Sequence, residues 1–327
     1  MERNDQVEIT VKDVWEARKR LEPIVEKTPL IYSYPLSKLT NTPIYLKLEN
    51  MHETGSFKIR GAANKILSLS ESQQKKGVAT FSTGNHGIAV AYVAKKLGIP
   101  ATVCISNRVP EVKVNRLRDL GARVEVVGEG QDDAAAYCGE LEKKEGITTI
   151  KPFDDLEVIA GQATIGLEIM ADCPSVNQVV IPLSGGGLLS GIGFFLKNMN
   201  PGIKVTGMTM EQSAVMHHSI KEGKPITMKE TDTLADSLLG GIGLDNRYTF
   251  SMTKKYMDDS LLVSEKAIAK GMIFMINYHK MVVEGAAATS IGWLLKTKKS
   301  VRKGPIVFIV SGSNVDSATV RRVMENH

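Results

Sequence analysis

The chain has 327 residues, enough for two domains of ordinary size or one large one. Apolar residues make up 43 % and charged residues 24 %, the composition of a soluble globular protein whose core needs no staples. The formal net charge of +5 comes without any block of five or six like charges, and no run of 18 apolar residues occurs; a nucleic-acid tail, a polybasic membrane patch and a transmembrane helix are therefore not expected.

The N-terminus, Met1-Glu2-Arg3-Asn4-Asp5, is charged and has no apolar stretch of the kind a secretory signal needs. Val14, Arg18, Leu21 and Val25 fall at helical spacing and predict a helix over 11–25. From residue 44 short apolar runs alternate with amphipathic segments. Strands are predicted at 44–48, 77–81, 101–105 and 123–127, with helices at 57–69, 86–97, 110–120 and 131–145. The rhythm resumes with a strand at 178–183, a helix to Asn198, a strand at 204–208, helices at 265–280 and 284–296, a strand at 306–310 and a closing helix at 316–325. Near-continuous apolar strands separated by helices are the pattern of parallel sheets covered on both faces. The expected fold is α/β, with two doubly wound parallel-sheet domains. One covers 48–150. The other takes residues 1–47 together with 151–327. Cys104, Cys138 and Cys173 are too few and too widely spaced for a disulfide framework or a zinc site, and a reducing cytoplasm is the expected compartment.

In open parallel sheets ligands bind beyond the carboxyl ends of the strands, and four segments sit there. Thr54-Gly55-Ser56-Phe57-Lys58-Ile59-Arg60-Gly61 follows the strand ending near Asn50. Ser56 is a natural N-cap, which puts Lys58 in the first turn of a helix, where its charge opposes the helix dipole. Lys58 is either a solvated lysine or a buried nucleophilic amine. Ser82-Thr83-Gly84-Asn85-His86-Gly87 leaves a strand and enters a helix, an arrangement that offers backbone N–H groups to an anion such as a carboxylate. Asn85 adds an amide donor there, and His86 is either an acid–base group or a brace for the loop. Ser184-Gly185-Gly186-Gly187-Leu188 lets the backbone wrap a phosphate with no side chain in the way. A dinucleotide fingerprint is the alternative, with Glu211 after the next strand, but the spacing from Gly185 reads G-x-G-x-x-S and misses the last glycine. Ser311-Gly312-Ser313-Asn314 follows the last strand, and its first hydroxyl can meet a buried heteroatom. Together a lysine, a glycine turn and two polar loops are what holding pyridoxal 5′-phosphate by its aldehyde, phosphate and ring nitrogen requires.

These segments, with Val158-Ile159-Ala160-Gly161-Gln162, Gly166-Leu167-Glu168 and Val283-Glu284-Gly285-Ala286, occur in an order that resembles the threonine/serine dehydratases among the tryptophan-synthase-β-like pyridoxal-phosphate enzymes. The resemblance runs over nearly the whole chain. It implies the cofactor in the cleft between two domains, a Schiff-base role for Lys58 and packing of Phe57 against the cofactor ring. It implies that Asn85 meets the ring oxygen, that Ser184, Gly185, Gly186, Gly187 and Leu188 hold the phosphate, and that Ser311 meets the pyridine nitrogen. Ser82, Thr83, Gly84, Asn85 and His86 would hold the substrate carboxylate, with Ser82 and Thr83 close to the chemistry, while Gly241 and Glu284 would line the ring's edge. The implied reaction turns a β-hydroxy amino acid into a 2-oxo acid and ammonia in a homo-oligomer.

The departures from the family pattern are specific. Thr83 stands where similar serine racemases carry a serine, Ser184 replaces a usual glycine, Ser313 gives S-G-S-N for S-G-G-N, and Thr209 stands where some relatives begin a divalent-cation site, so no metal is expected. The C-terminal regulatory domain of isoleucine-inhibited threonine deaminases, and with it that feedback, is not expected. Gly240-Gly241-Ile242-Gly243-Leu244-Asp245-Asn246-Arg247 and the 82–87 loop look most like the hydroxyectoine-utilisation branch, with Asp245 or Arg247 either reading a polar substrate tail or bracing the loop. Racemisation of an amino acid is the alternative on the same scaffold, and an NAD-dependent or non-catalytic nucleotide-binding protein is the alternative of another class.

Overall fold

The computed structural model describes residues 8–109, 111–297 and 304–326. The charged residues 1–5 and Pro110, the expected start of a helix, lie outside the described residues. Two sheets carry the chain. The larger has the order β1-β2-β10-β7-β8-β9, built from Leu30–Tyr32, Ile44–Leu48, Ile306–Val310, Gln178–Pro182, Lys204–Met210 and Asp259–Val263. Its strands run parallel except β1, an antiparallel edge strand with Leu30 opposite Lys47. The smaller sheet is wholly parallel in the order β5-β4-β3-β6, with β3 at Val78–Thr80, β4 at Ala101–Ile105, β5 at Arg123–Val126 and β6 at Thr148–Thr149.

Both sheets are covered on two faces, which is why β2, β7 and β10 are almost wholly buried and apolar. On the small sheet, α3 (Lys58–Ser68) and α5 (Asn85–Leu97) bury Ile59, Ile66, Val90 and Val93 against Val78 and Val103. The opposite face receives α7 (Gln131–Glu145) through Ala134, Cys138 and Leu141. On the large sheet, α12 (Glu265–Phe274) and α13 (Gly285–Thr297) cover one side, while α8 (Leu156–Asp172) and α9 (Gly187–Met199) cover the other.

The α/β reading and its principal elements therefore stand, with shifts of a few residues at their ends. Helix α1 (Val11–Leu21) stops short of the expected 25, and the segment expected to be helical to 280 is α12 followed by a π-helical turn, Met275–His279, closed by Lys280 at φ 57°. Among the described residues, five α-helices and three strands were not anticipated. Helix α8 is one, because eleven of its residues are buried and its apolar positions show no single stripe. Helices α10 (Val215–Glu222) and α11 (Thr249–Tyr256) are short, as are β1 and β6. Among the described residues no helix is long and apolar enough to cross a membrane. The three cysteines are free and buried.

Candidate active site

The site forms where two loops pair edge to edge. Ser56 bridges Gly312 in antiparallel fashion, the Phe57 N–H donates to the Ser311 carbonyl at 3.0 Å, and the Ser313 N–H donates to the Gly55 carbonyl at 2.9 Å. This pairing sets Lys58 beside the loop that follows β10. It also corrects the expected capping: the N-cap of α3 is Phe57, and no side chain caps the helix. Ser56 is drawn into the bridge, and its buried hydroxyl has no partner among the described residues.

Lys58 opens α3 and keeps partial solvent access. Its Nζ donates to the Pro152 carbonyl at 2.8 Å and lies 5.2 Å from the centre of the Phe57 ring. Burial of the ammonium lowers its pKa to about 8, against an opposing attraction from Glu284. A solvated lysine would show neither the carbonyl anchor nor this shift. The next residue after Pro152 reaches the glycine turn: a Cβ on Gly185 would overlap the Phe153 ring, and one on Gly187 would lie 2.9 Å from Phe153 Cβ. Gly186, at φ 86°, is the N-cap of α9 and has no side-chain cap. The first-turn N–H groups of α9 are therefore free of intrahelical partners, which suits a bound anion. Leu188 is buried in the cluster against which Phe57 packs. Lysine, aromatic ring and glycine turn are thus brought together.

The loop after β3 supplies the second anion position. Gly84 caps α5, a 13-residue helix, without a side chain of its own. Ser82, Thr83 and Gly84 are partly exposed at its mouth. Gly87 has no latitude, because a Cβ there would overlap the Ser82 carbonyl oxygen. Gly87→Ala is accordingly expected to push the loop off the α5 N-terminus, and substrate KM should rise more than tenfold in steady-state assays while the fold persists. His86 donates from Nε2 to the Ile150 carbonyl at 2.9 Å. This fixes the tautomer and leaves Nδ1 as a buried lone pair with no partner among the described residues. Burial and the nearby Lys58 depress its pKa to about 3, so the imidazole is neutral and braces the loop.

Asn85 Nδ2 donates to both carboxylate oxygens of Glu284, at 3.1 and 2.9 Å, and Asn85 Oδ1 accepts from Asn314 Nδ2 at 2.6 Å. Glu284 also accepts from the Ser237 hydroxyl at 2.8 Å and lies 2.8 Å from where a Cβ on Gly312 would stand. Burial raises its pKa to about 7 in spite of these donors, so the carboxyl carries a proton part of the time at neutral pH. Ser311 is 2 % exposed, next to this group. Gly241 is exposed, and a side chain there would meet nothing within 4 Å. Asp245 and Arg247 are also exposed. Thr209 is buried, its hydroxyl directed at the Met210 sulfur at 3.3 Å.

Several contributors were not anticipated. Pro152 and Phe153 act through a carbonyl and a ring that no motif marks. Asn314 ties Asn85 to the Thr54 carbonyl (2.8 Å) and receives Arg116 from α6, Glu111–Asp119, at 2.9 Å. Ser313 reaches the Asn50 and Gly55 carbonyls only at 3.4 Å.

Comparison with known proteins places this geometry. A family model described as pyridoxal-phosphate dependent enzyme matches residues 21–312. The chain is 41 % identical to the L-threonine ammonia-lyase of Thermotoga maritima, over 97 % of this chain and 78 % of that one. Among solved structures it is similar to maize serine racemase, with a TM-score of 0.89 at 32 % identity and 97 % coverage of both chains. It is also similar to the processed threonine deaminase isoform 2 of Solanum lycopersicum, with a TM-score of 0.87 at 30 % identity, over 97 % of this chain and 89 % of that one. The residues present fit the cofactor. A turn that tolerates no Cβ suits a phosphate, an amine of lowered pKa suits an aldehyde, and the buried Ser311 follows β10, where its carbonyl accepts the Phe57 N–H. With the family model spanning most of the sequence and relatives matched along almost all of it, the chain belongs to the pyridoxal-phosphate dependent enzymes with the tryptophan-synthase-β-like α/β fold.

Proposed function

We propose that the chain removes water and then ammonia from a β-hydroxy amino acid of the threonine or serine type, leaving a 2-oxo acid. The observation that carries this reading is the Lys58 amine, held on the Pro152 carbonyl beside a glycine turn that excludes side chains. Pyridoxal phosphate, when bound, supplies an aldehyde that captures amines and a ring that accepts electrons from the neighbouring carbon.

The protein does the rest with few groups. The glycine turn and the first turn of α9 hold the phosphate. The α5 N-terminus, with the Ser82 and Thr83 hydroxyls, holds the substrate carboxylate. Lys58 Nζ takes the proton from the α-carbon, a step for which an amine of lowered pKa is suited and which contributes about 10²–10⁴-fold. Ser311 would meet the ring nitrogen with a neutral hydroxyl and no fixed charge, so the bound ring would supply a weak electron sink, which suits loss of a β-hydroxyl. Asn85 donates to Glu284, whose carboxyl is part-protonated through burial.

We place the site in the cleft between residues 48–150 and the remainder of the chain. Buried, unpaired thiols support a reducing cytoplasm. Tyr32, Tyr34 and Tyr278, each more than half exposed around the Ser33–His279 hydrogen bond, support a homo-oligomer. Size-exclusion chromatography with light scattering tests that assembly, and a monomer at micromolar concentration contradicts it.

Two measurements address the chemistry. Purified protein offered L-threonine, L-serine, hydroxyaspartate, phenylserine and the hydroxylated diaminobutyrate-type compound of hydroxyectoine breakdown should release ammonia and a 2-oxo acid from at least one. The similarity to maize serine racemase favours racemisation as a second reading, and formation of the mirror-image amino acid without ammonia would establish it instead. Capture of added cofactor by the apoprotein should accelerate about tenfold per pH unit below pH 8 and level off above, because only the unprotonated Lys58 amine attacks. A rate unchanged between pH 6 and pH 9 would show that another group captures it.

A further inference from the structure

The residues leaving β6 touch one part of the site after another. The Ile150 carbonyl takes His86, the Pro152 carbonyl takes Lys58, and the Phe153 ring backs Gly185 and Gly187. Asp154 comes next, and its bonding is unusual for a carboxylate that is only 9 % exposed. Its oxygens accept the backbone N–H groups of Arg247 (2.9 Å), Tyr248 (2.9 Å) and Thr249 (3.0 Å), with the Thr249 hydroxyl at 3.4 Å. Thr249 opens α11, Tyr248 is its N-cap residue and offers no side-chain cap, and Asn246 Oδ1 takes the Phe250 N–H at 2.8 Å, so Asp154 gathers the donors that lead into the helix and open it. A serine or aspartate at 248 would have capped the helix locally. A cap supplied from 94 residues away does more, because it fixes where the helix lies.

Helix α11 lies against the glycine turn. A Cβ on Gly186 would stand 2.5 Å from Thr253 Oγ1 and 3.3 Å from Thr249 Cβ, and the Thr253 and Ser190 hydroxyls are 3.1 Å apart. Two consecutive residues therefore flank one turn: Phe153 bears on Gly185 and Gly187 directly, and Asp154 bears on Gly186 through α11. We propose that Asp154 is a positioning residue that holds α11 against the glycine turn and so sets the grip of residues 184–188 on the phosphate of the cofactor. The proposal rests on the reading of that turn as the phosphate site.

The test titrates wild-type and Asp154→Asn apoproteins with pyridoxal phosphate and, separately, with pyridoxal, which lacks the phosphate, following the absorbance of the bound chromophore. Asparagine keeps the shape and removes the charge that the three N–H groups face. Affinity for pyridoxal phosphate should fall about tenfold, as the loss of a charged helix cap implies, while affinity for pyridoxal changes less than about threefold. An equal loss for both ligands would make Asp154 a general brace and overturn the proposal, and so would no loss for either. Should Asp154→Asn fail to fold, Asp154→Ser, which keeps a short acceptor, is read by the same pair of titrations. Wild-type protein that binds the two ligands equally well would remove the phosphate reading of residues 184–188 itself, an outcome distinct from any behaviour of the variant.

Discussion

Lys58→Ala is expected to abolish turnover, lowering kcat by at least about 10⁴-fold with the fold intact. Two roles disappear together: the amine that attaches the cofactor and the base that moves the α-proton. Loss of a general base alone spans about 10²–10⁴-fold, and loss of covalent capture adds to it. The substitution creates little strain, since Lys58 sits at the first position of α3 and its side chain donates to a backbone carbonyl, that of Pro152. Lys58→Arg separates charge from chemistry: a guanidinium keeps the cation but stays protonated, so it neither attacks an aldehyde nor accepts a proton, and it should be equally inactive. Ammonia release measured beside circular dichroism decides the matter. A variant with native spectra and more than a few per cent of wild-type activity would move the chemistry elsewhere.

Arg60→Met is expected to destabilise the protein by about 3–5 kcal/mol, a large fraction of the ~5–15 kcal/mol that holds a typical domain together. Arg60, two residues beyond the active lysine, is 1 % exposed and forms two forked ion pairs. One joins Glu49 at 2.7 and 2.9 Å, the other Glu168 on α8 at 2.7 and 2.9 Å. Lys47 completes the network, donating to Glu168 and to the Thr28 carbonyl, and His52 bonds Glu49 at 3.0 Å. Burial dominates the Lys47 amine and lowers its pKa, whereas Arg60 and His52 hold the Glu49 carboxyl well below the usual range against the opposing effect of its own burial. Removing the guanidinium leaves Glu49 and Glu168 facing each other in a dry interior with one ammonium between them, which is the costly half of a broken buried pair. An exposed pair such as Arg118–Glu111 contributes about 0–1 kcal/mol by comparison. Urea unfolding of the two proteins measures the difference, and a change below about 1 kcal/mol would show that the network contributes little.

What could be read from the sequence follows from how each part works. The glycine turn at 184–188, the 82–87 loop and the Ser311 loop function through backbone conformation at strand ends, and small residues at those places announce themselves. Lys58 stood out as a cation in the first turn of a helix. By contrast, Phe153, Asp154 and Pro152 act at long range through a ring, a carboxylate and a carbonyl, and nothing in their local pattern distinguishes them from an ordinary connector. The Arg60 network was equally silent, since Glu49, Lys47 and Glu168 meet only when β2, α3 and α8 pack. The capping role given to Ser56 failed for a related reason: its bridge partner, Gly312, lies more than 250 residues further along the chain. Helix α8 was missed because burial on nearly every side removes the amphipathic period, and β9 because an edge strand only half-buried along most of its length shows no clean alternation.

The most direct test loads the purified protein with pyridoxal phosphate, reduces it with borohydride and locates the modified lysine by peptide mass spectrometry. The account predicts that the cofactor is fixed on Lys58 alone, on the peptide that begins α3. Label on any other lysine, with Lys58 recovered unmodified, would contradict it.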